Sequence, residues 1–505
     1  MSSLDNVVMD FQIFYQKILD AYKLKLDSEK KWNKIANIMY EENLQVVSLI
    51  RALKKQDSRT EIKINYKMSP KQLQDLITSE SDMVVKSSLM IGSLHHMIYD
   101  LVSQKGNYYF LLEGRKEMQV LPKDITYYIS VATKNEQNIQ FHAFILLYAL
   151  ESMFNRHFYV GVDFEYTNKK IQLAQLNFEH NVDLRSIIML VSPNELDKVI
   201  TDNFINLIMC NTSIKKILHG SDSLDLPYVY DHLLAKDNNK IIKFTKGLID
   251  TRFLCEYYKL SRNEVSDSKC SIYDEDPTRS AIYYFGLVST EQQNKLTELL
   301  ASMPAPHDIV WNIFKMPKSQ IYYAQYDVLY LKYFYYRIMN KASQDEDSDV
   351  GKKEILELYQ NVLNELAQFI FLDHREIVLL VKKCKEDVDP VNNYFIRKGN
   401  SVLKLVEIFA DLSANINTVN PKVSLDKIIK VNYFKASVMT IVKRIIYGVV
   451  SRKCKIYKSK NILWTDKLDN RFIFEFFHEM GFNYLERFFR NVETVIVDRS
   501  AKVCP

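Results

Sequence analysis

Tyr159-Val-Gly-Val-Asp163-Phe-Glu165-Tyr166 reads as a buried strand whose end carries two acids. Val160 and Val162 are β-formers, and the aromatic pair Phe158 and Tyr159 precedes them. Asp163 and Glu165 are two residues apart, a spacing that puts both carboxylates on one face of a strand. Two carboxylates that close repel, and one takes up a proton unless a cation sits between them. A divalent ion such as Mg²⁺ is held by one or two carboxylates plus substrate phosphate oxygens. On its own the pair also fits a solvated strand end before the turn Thr167-Asn-Lys-Lys170, so the meaning depends on acids further along.

Two more acid-bearing stretches follow. Lys216-Ile-Leu-His219-Gly220-Ser-Asp222-Ser-Leu-Asp225 reads as a strand, a turn and a helix start. Asp225 opens an amphipathic run with Leu226, Val229, Tyr230 and Leu233, and Pro227 suits a first helical turn. Asp222 reads as the cap of that helix, with Asp225 the preferred functional acid. In Tyr322-Tyr323-Ala-Gln-Tyr-Asp327-Val-Leu-Tyr-Leu331, Tyr323 and Asp327 stand one above the other on a helix face.

This order of motifs resembles the DEDD 3′–5′ exonucleases of the tyrosine subclass, nearest to ribonuclease D and the nuclear exosome exonuclease, over residues 140–340. Leu248-Ile-Asp250-Thr251 and Trp311 also match that pattern. The second motif departs from it, because Leu224 occupies the usual place of the acid, with Asp225 one residue later. The resemblance implies an α/β ribonuclease H-like core, a mixed sheet flanked by helices. It implies hydrolysis of phosphodiester bonds from a 3′ end with two divalent ions, Mg²⁺ or Mn²⁺. Asp163 would bridge both ions, Glu165 and Asp327 would bind the first, Asp225 the second, and Tyr323 would orient the attacking water. His219 is read as a turn residue rather than a ligand.

Around this core the pattern predicts a helix over 141–155, strands at 171–176, 187–191, 214–218 and 248–250, and helices over 194–209, 225–234, 251–259, 290–302 and 317–340. Three regions result: a mostly helical 1–135, the exonuclease-like 136–342, and a helical 351–505 beyond the acidic spacer Ser343–Asp349. Val7, Phe11, Phe14, Tyr15, Ile18 and Tyr22 make one apolar helical stripe, and 108–121 suggests a hairpin around Gly114. His95 and His96 are neighbours, so they point to different faces of a helix, which favours a core histidine over a metal pair.

Composition sets the outer limits. At 505 residues several domains are expected, and 11 glycines with 11 prolines favour helices over turn-rich β architecture. The abundance of Tyr, Lys, Asn and Ile fits an AT-rich genome, such as that of a large DNA virus, a protist or a low-GC organism. The six cysteines form no C-x-x-C, which suggests reduced thiols in the cytoplasm or nucleus. The start of the chain has no basic-then-apolar leader, and no apolar run reaches membrane-span length, so no membrane partner is expected. Net charge is only +5, but residues 422–460 hold eleven Lys or Arg and one acid. There Lys443, Arg444, Arg452, Lys453, Lys455 and Lys458, interleaved with Tyr447 and Tyr457, form a candidate surface for RNA or single-stranded DNA. A DNA exonuclease, an inactive nuclease-fold scaffold and an assembly subunit that binds proteins through its helical flanks are the competing readings.

Overall fold

The computed structural model describes residues 3–344 apart from 58, 60, 105–124, 156–157, 169, 181–182, 184, 222–224, 236, 253, 256–269, 273–279 and 306–307, together with the isolated residues 361 and 483. The expected hairpin at 108–121, Asp222, the spacer from 345 onward, the 351–505 helical region and all six basic candidates from Lys443 to Lys458 therefore lie outside the described residues.

Helices lead the chain: α1 (Ser3–Lys23), α2 (Ser28–Glu41), α3 (Asn43–Leu53), α4 (Pro70–Ser79) and α5 (Met83–Gln104). The stripe on α1 is its core face, with Phe11, Phe14, Tyr15 and Ile18 buried. Side chains set the starts: Asp27 accepts from the Lys30 N–H before α2, and Ser69 forms a reciprocal cap with Gln72 on α4.

After them come β1 (Ile125–Ile129), α6 (Lys134–Glu151), β2 (Phe158–Thr167), β3 (Lys170–His180), β4 (Arg185–Val191), α7 (Lys198–Asn203), β5 (Ile214–Leu218), α8 (Asp225–Tyr228), α9 (Asn238–Thr245) and β6 (Leu248–Asp250). Then follow α10 (Ala281–Tyr284), α11 (Thr290–Ala301), α12 (Lys318–Leu329) and α13 (Leu331–Gln344). The strands form one mixed sheet in the order β1-β4-β3-β2-β5-β6. β3 runs antiparallel to β2 and β4, while β1–β4, β2–β5 and β5–β6 are parallel pairs. The expected mixed α/β architecture is thus present.

The described residues fall into two compact units. The first takes Met1–Tyr228, Gly247–Thr251 and Ser271–Tyr336, and so holds the N-terminal helices and the whole sheet. Within it α6 packs against α2, α3 and α5 as well as β4, and every residue from Gln137 to Glu151 is buried. Burial on every side leaves its polar members in need of partners, and the Gln137 and Asn138 amides donate to the Ser192 and Glu195 carbonyls. The second unit takes Val229–Lys246, Arg252–Cys270 and the chain from Arg337.

Four expectations need correction, the first being the helix expected over 225–234, which is α8 followed by a π-helical segment over Val229–Leu233. Cys255 and Cys270 form a disulfide in the second unit, with Cα atoms 5.8 Å apart, so the thiols are not all reduced. A scattered cysteine spacing hides pairs that folding brings together. The helix expected over 194–209 is a 3₁₀ turn, then α7, then a π-helical segment over Phe204–Met209. The helix expected over 317–340 is α12 and α13, interrupted at Tyr330.

Candidate functional site

The site begins with the strand pleat. β2 carries Asp163 and Glu165 on one face, and its ladder with β3 places Gln175 directly opposite Asp163 and Leu173 opposite Glu165. The ladder register shifts between Glu165 and Tyr166, an irregularity of the kind that re-aims side chains next to active sites. α12 brings the third acid. Asp327 and Tyr323 lie one turn apart on it, and α12 packs on β2 and β3. Gly161 makes that packing possible: a Cβ there would stand 3.1 Å from the Val328 carbonyl oxygen, the residue after Asp327. The Asn177 side-chain amide donates to the same carbonyl at 3.1 Å, tying the helix to β3.

As a result, Asp163, Glu165 and Asp327 each place a carboxylate oxygen within 4.8 Å of the other two. The electrostatics are those of crowded acids. Burial pushes the Asp163 carboxyl up from its ordinary range, against hydrogen bonds from Phe164 and Gln175 that favour the charged form. Glu165 is only 9% exposed; burial raises it most, and the charges of Asp327, Asp163 and, more weakly, Asp225 add to the rise. The Tyr323 phenol is raised well above its ordinary value, first by the charge of Asp327, then by burial, Glu165 and Asp163. Its ring stacks on buried Trp311, with centroids 5.8 Å apart and planes 27° apart.

Asp225 belongs to the same neighbourhood but not to the tight trio. It opens α8 and is 8% exposed, and its charge acts on Glu165 and Tyr166. Its approach is set by the turn after β5, where Gly220 adopts φ +67°. Asp250 accepts from the Gly220 N–H at 3.0 Å, the Ser221 N–H at 3.0 Å and the Ser221 hydroxyl at 2.8 Å. The Leu226 N–H then bonds to the Ser221 carbonyl, and Tyr228 packs edge-on against Phe164. His219 pairs with the Thr251 hydroxyl at 2.9 Å, as a turn residue would.

This donor set fits a divalent cation. Three converging oxygens from half-buried or buried carboxylates, with the charges of Asp327 and Asp163 raising Glu165, are the hard ligands that Mg²⁺ or Mn²⁺ takes.

Sequence reading missed one member. Gln175 is buried, and its Nε2 lies 3.2 Å from Glu165 Oε1 and 3.4 Å from Asp327 Oδ2. The available signal was a polar residue on the buried side of an alternating strand.

A second buried group includes His95, Glu151 and His180, whose ligating atoms also lie within 4.8 Å. Its chemistry differs. Nδ1 of His95 contacts Glu151, Nε2 lies 2.5 Å from Asp183, and the Arg185 guanidinium holds Asp183 at 2.6 Å. A carboxylate at each ring nitrogen favours the imidazolium, in which form two anions and two cations balance. Burial lowers His95, but Glu151 and Asp183 outweigh it and the net direction is up. Burial alone would raise Glu151, yet His95 and His180 hold it down at about 2. His95 is fully buried and His96 is not, as neighbours on a helix should be.

Comparison with described protein families finds none that the chain matches. The chain is 55% identical over 505 residues to an uncharacterized protein of Acanthamoeba polyphaga mimivirus, a match that spans 100% of this chain and 99% of that protein. The chain belongs to one family with that viral protein. No helix among the described residues is long and apolar enough to cross a membrane.

Proposed function

We propose that the protein is a metal-dependent 3′–5′ exonuclease that hydrolyses phosphodiester bonds from the 3′ end of RNA or single-stranded nucleic acid and releases nucleoside 5′-monophosphates. The observation that carries this reading is the convergence of Asp163, Glu165 and Asp327 within 4.8 Å beside Tyr323. The mixed sheet flanked by helices is compatible with the ribonuclease H-like core that the motif order implies.

Asp163, Glu165 and Asp327 would hold the cations, with Asp225 as the fourth acid of the set. Bound divalent ions supply positive charge at the scissile phosphate and a reactive water at neutral pH. In the reaction the water oxygen bonds to phosphorus, the bond from phosphorus to the 3′ oxygen breaks, and that oxygen leaves as a new 3′ hydroxyl. Tyr323 has a defined part in this. Its raised phenol keeps its proton at neutral pH, so it orients the water by hydrogen bonding and is not itself the base. Trp311 fixes the ring that carries that hydroxyl.

The basic stretch 422–460 is proposed as the surface that holds the single strand, and the helical flanks as sites for protein partners.

Matched RNA and DNA oligonucleotides labelled at the 5′ end test the proposal, incubated with Mg²⁺, Mn²⁺ or EDTA. Shortening from the 3′ end with either ion, and none in EDTA, is expected. Asp163→Asn should lower the rate by orders of magnitude. In EDTA that variant should be at least as stable as the wild type, because a carboxylate crowded by its neighbours has been neutralised. A nuclease rate unchanged by Asp163→Asn would sink the reading.

A further inference from the structure

We infer that Gln175 is a positioning residue of the metal centre, an uncharged clamp that holds Glu165 and Asp327 in converging directions; this rests on the metal-centre reading above. Three independent features place it there. The β2–β3 register sets Gln175 directly across from Asp163, so the sheet itself delivers its side chain to the acid face. Its one Nε2 reaches both Glu165 Oε1, at 3.2 Å, and Asp327 Oδ2, at 3.4 Å, linking a strand acid to a helix acid 162 positions later in the chain (327 − 165). It is completely buried, so no water competes for those hydrogens.

The chemistry suits an amide better than any charged group. A lysine or arginine here would neutralise the acids and repel the cation they are to bind. An apolar residue would leave crowded carboxylates free to turn away from one another. An amide offers two N–H donors without a net charge, so it orients both acids and leaves their charge for the ion. The orientation of the amide is fixed as well. Turning it over would set Oε1 against two carboxylates. As it stands, Oε1 has no hydrogen-bond partner in the structure, an arrangement that the two hydrogen bonds at Nε2 favour. Groups that orient metal ligands from behind are worth about 10–100-fold in metal affinity or activity.

The test uses the full-length chain and Mn²⁺ as the probe, with binding measured by electron paramagnetic resonance in the absence of substrate. Wild type, Asp163→Asn, Gln175→Leu and Gln175→Met are compared, the two apolar variants differing in shape so that one can stand in if the other does not fold. Gln175→Leu or Gln175→Met should weaken Mn²⁺ binding by about 10–100-fold, and should lower kcat while KM for the oligonucleotide changes little. A side chain that served packing alone would lower the urea midpoint and leave the Mn²⁺ titration where it was. That second pattern, alongside loss of Mn²⁺ binding in Asp163→Asn, overturns the role of Gln175 and leaves the metal centre standing. A wild-type chain that binds no Mn²⁺ at all overturns both.

Discussion

Tyr323 joins the two kinds of information in this molecule, a sequence motif and an environment. The motif puts it one helical turn from Asp327; only the fold adds the Trp311 ring and the three charges that raise its phenol. Tyr323→Phe keeps the ring and the stacking and removes the hydroxyl. The expected loss is about 10²–10⁴ in kcat, the range for a group that handles a proton in the transition state. Mn²⁺ binding should be retained, since the phenol is not one of the converging carboxylates. Steady-state rates at saturating oligonucleotide check this, and an unchanged kcat would remove the hydroxyl from the mechanism. At this scale Asp163, Glu165 and Asp327 were legible from the order and spacing of the motifs that hold them, since the pair at 163 and 165 alone also fits a solvated strand end. Gln175 was not, because a glutamine on an alternating strand carries no chemical signature until its cross-strand neighbour is known.

The elements show why the acids meet. Gly161 lies on β2 two residues before Asp163, and it leaves room for the carbonyl of Val328 on the residue following Asp327. In Gly161→Ala the new methyl would stand 3.1 Å from that oxygen and 3.4 Å from the side chains of Asn177 and Leu331. The helix end must give by a few tenths of an ångström. A cost of about 1–3 kcal/mol is expected, as for other overpacked sites. Activity should fall further than stability does, because Asp327 moves with the helix and small misplacements near reacting groups are expensive. Urea midpoints and kcat measured on the same preparations separate the two effects. The bounds of β5 and β6 were readable from short apolar runs closed by turn residues. β1 was missed although Ile125-Thr-Tyr-Tyr-Ile129 is rich in β-formers; its partner β4 lies some sixty residues further on, and pairing across that distance leaves no local mark. The interruptions in the expected helices were equally hidden, since apolar periodicity survives a π-helical segment or a break at one residue.

For the whole molecule, the buried charges around His95 link α5, α6 and the β3–β4 connection inside the first unit. Their pH dependence has a definite sign. His95 is raised in the fold, so its contribution is complete below its ordinary value near 6.5 and is lost as pH rises through the higher folded value. Glu151 is held at about 2, so its contribution is complete above the usual carboxylate range and is lost as pH falls through the acid region. His180 is lowered, chiefly by burial, so its protonation in acid works against the fold. His95→Gln should cost about 3–5 kcal/mol near neutral pH, since it leaves buried carboxylates without their cation. The difference from wild type should shrink as the medium becomes alkaline, which urea unfolding followed across pH would reveal; a constant difference would mean that His95 is neutral. The resemblance covered residues 140–340, and nothing in it pointed to this network, because its members come from helices and strands that no motif spans. β1 carries a related consequence. It lies ahead of α6, yet it forms one border of the sheet that holds the acids, pairing only with β4 among the described strands. A gene rearrangement that moved the acid-bearing segment alone would strip that border and open a row of backbone donors and acceptors to any passing strand. A chain from which Ile125–Ile129 alone has been cut should therefore self-associate, which light scattering would detect.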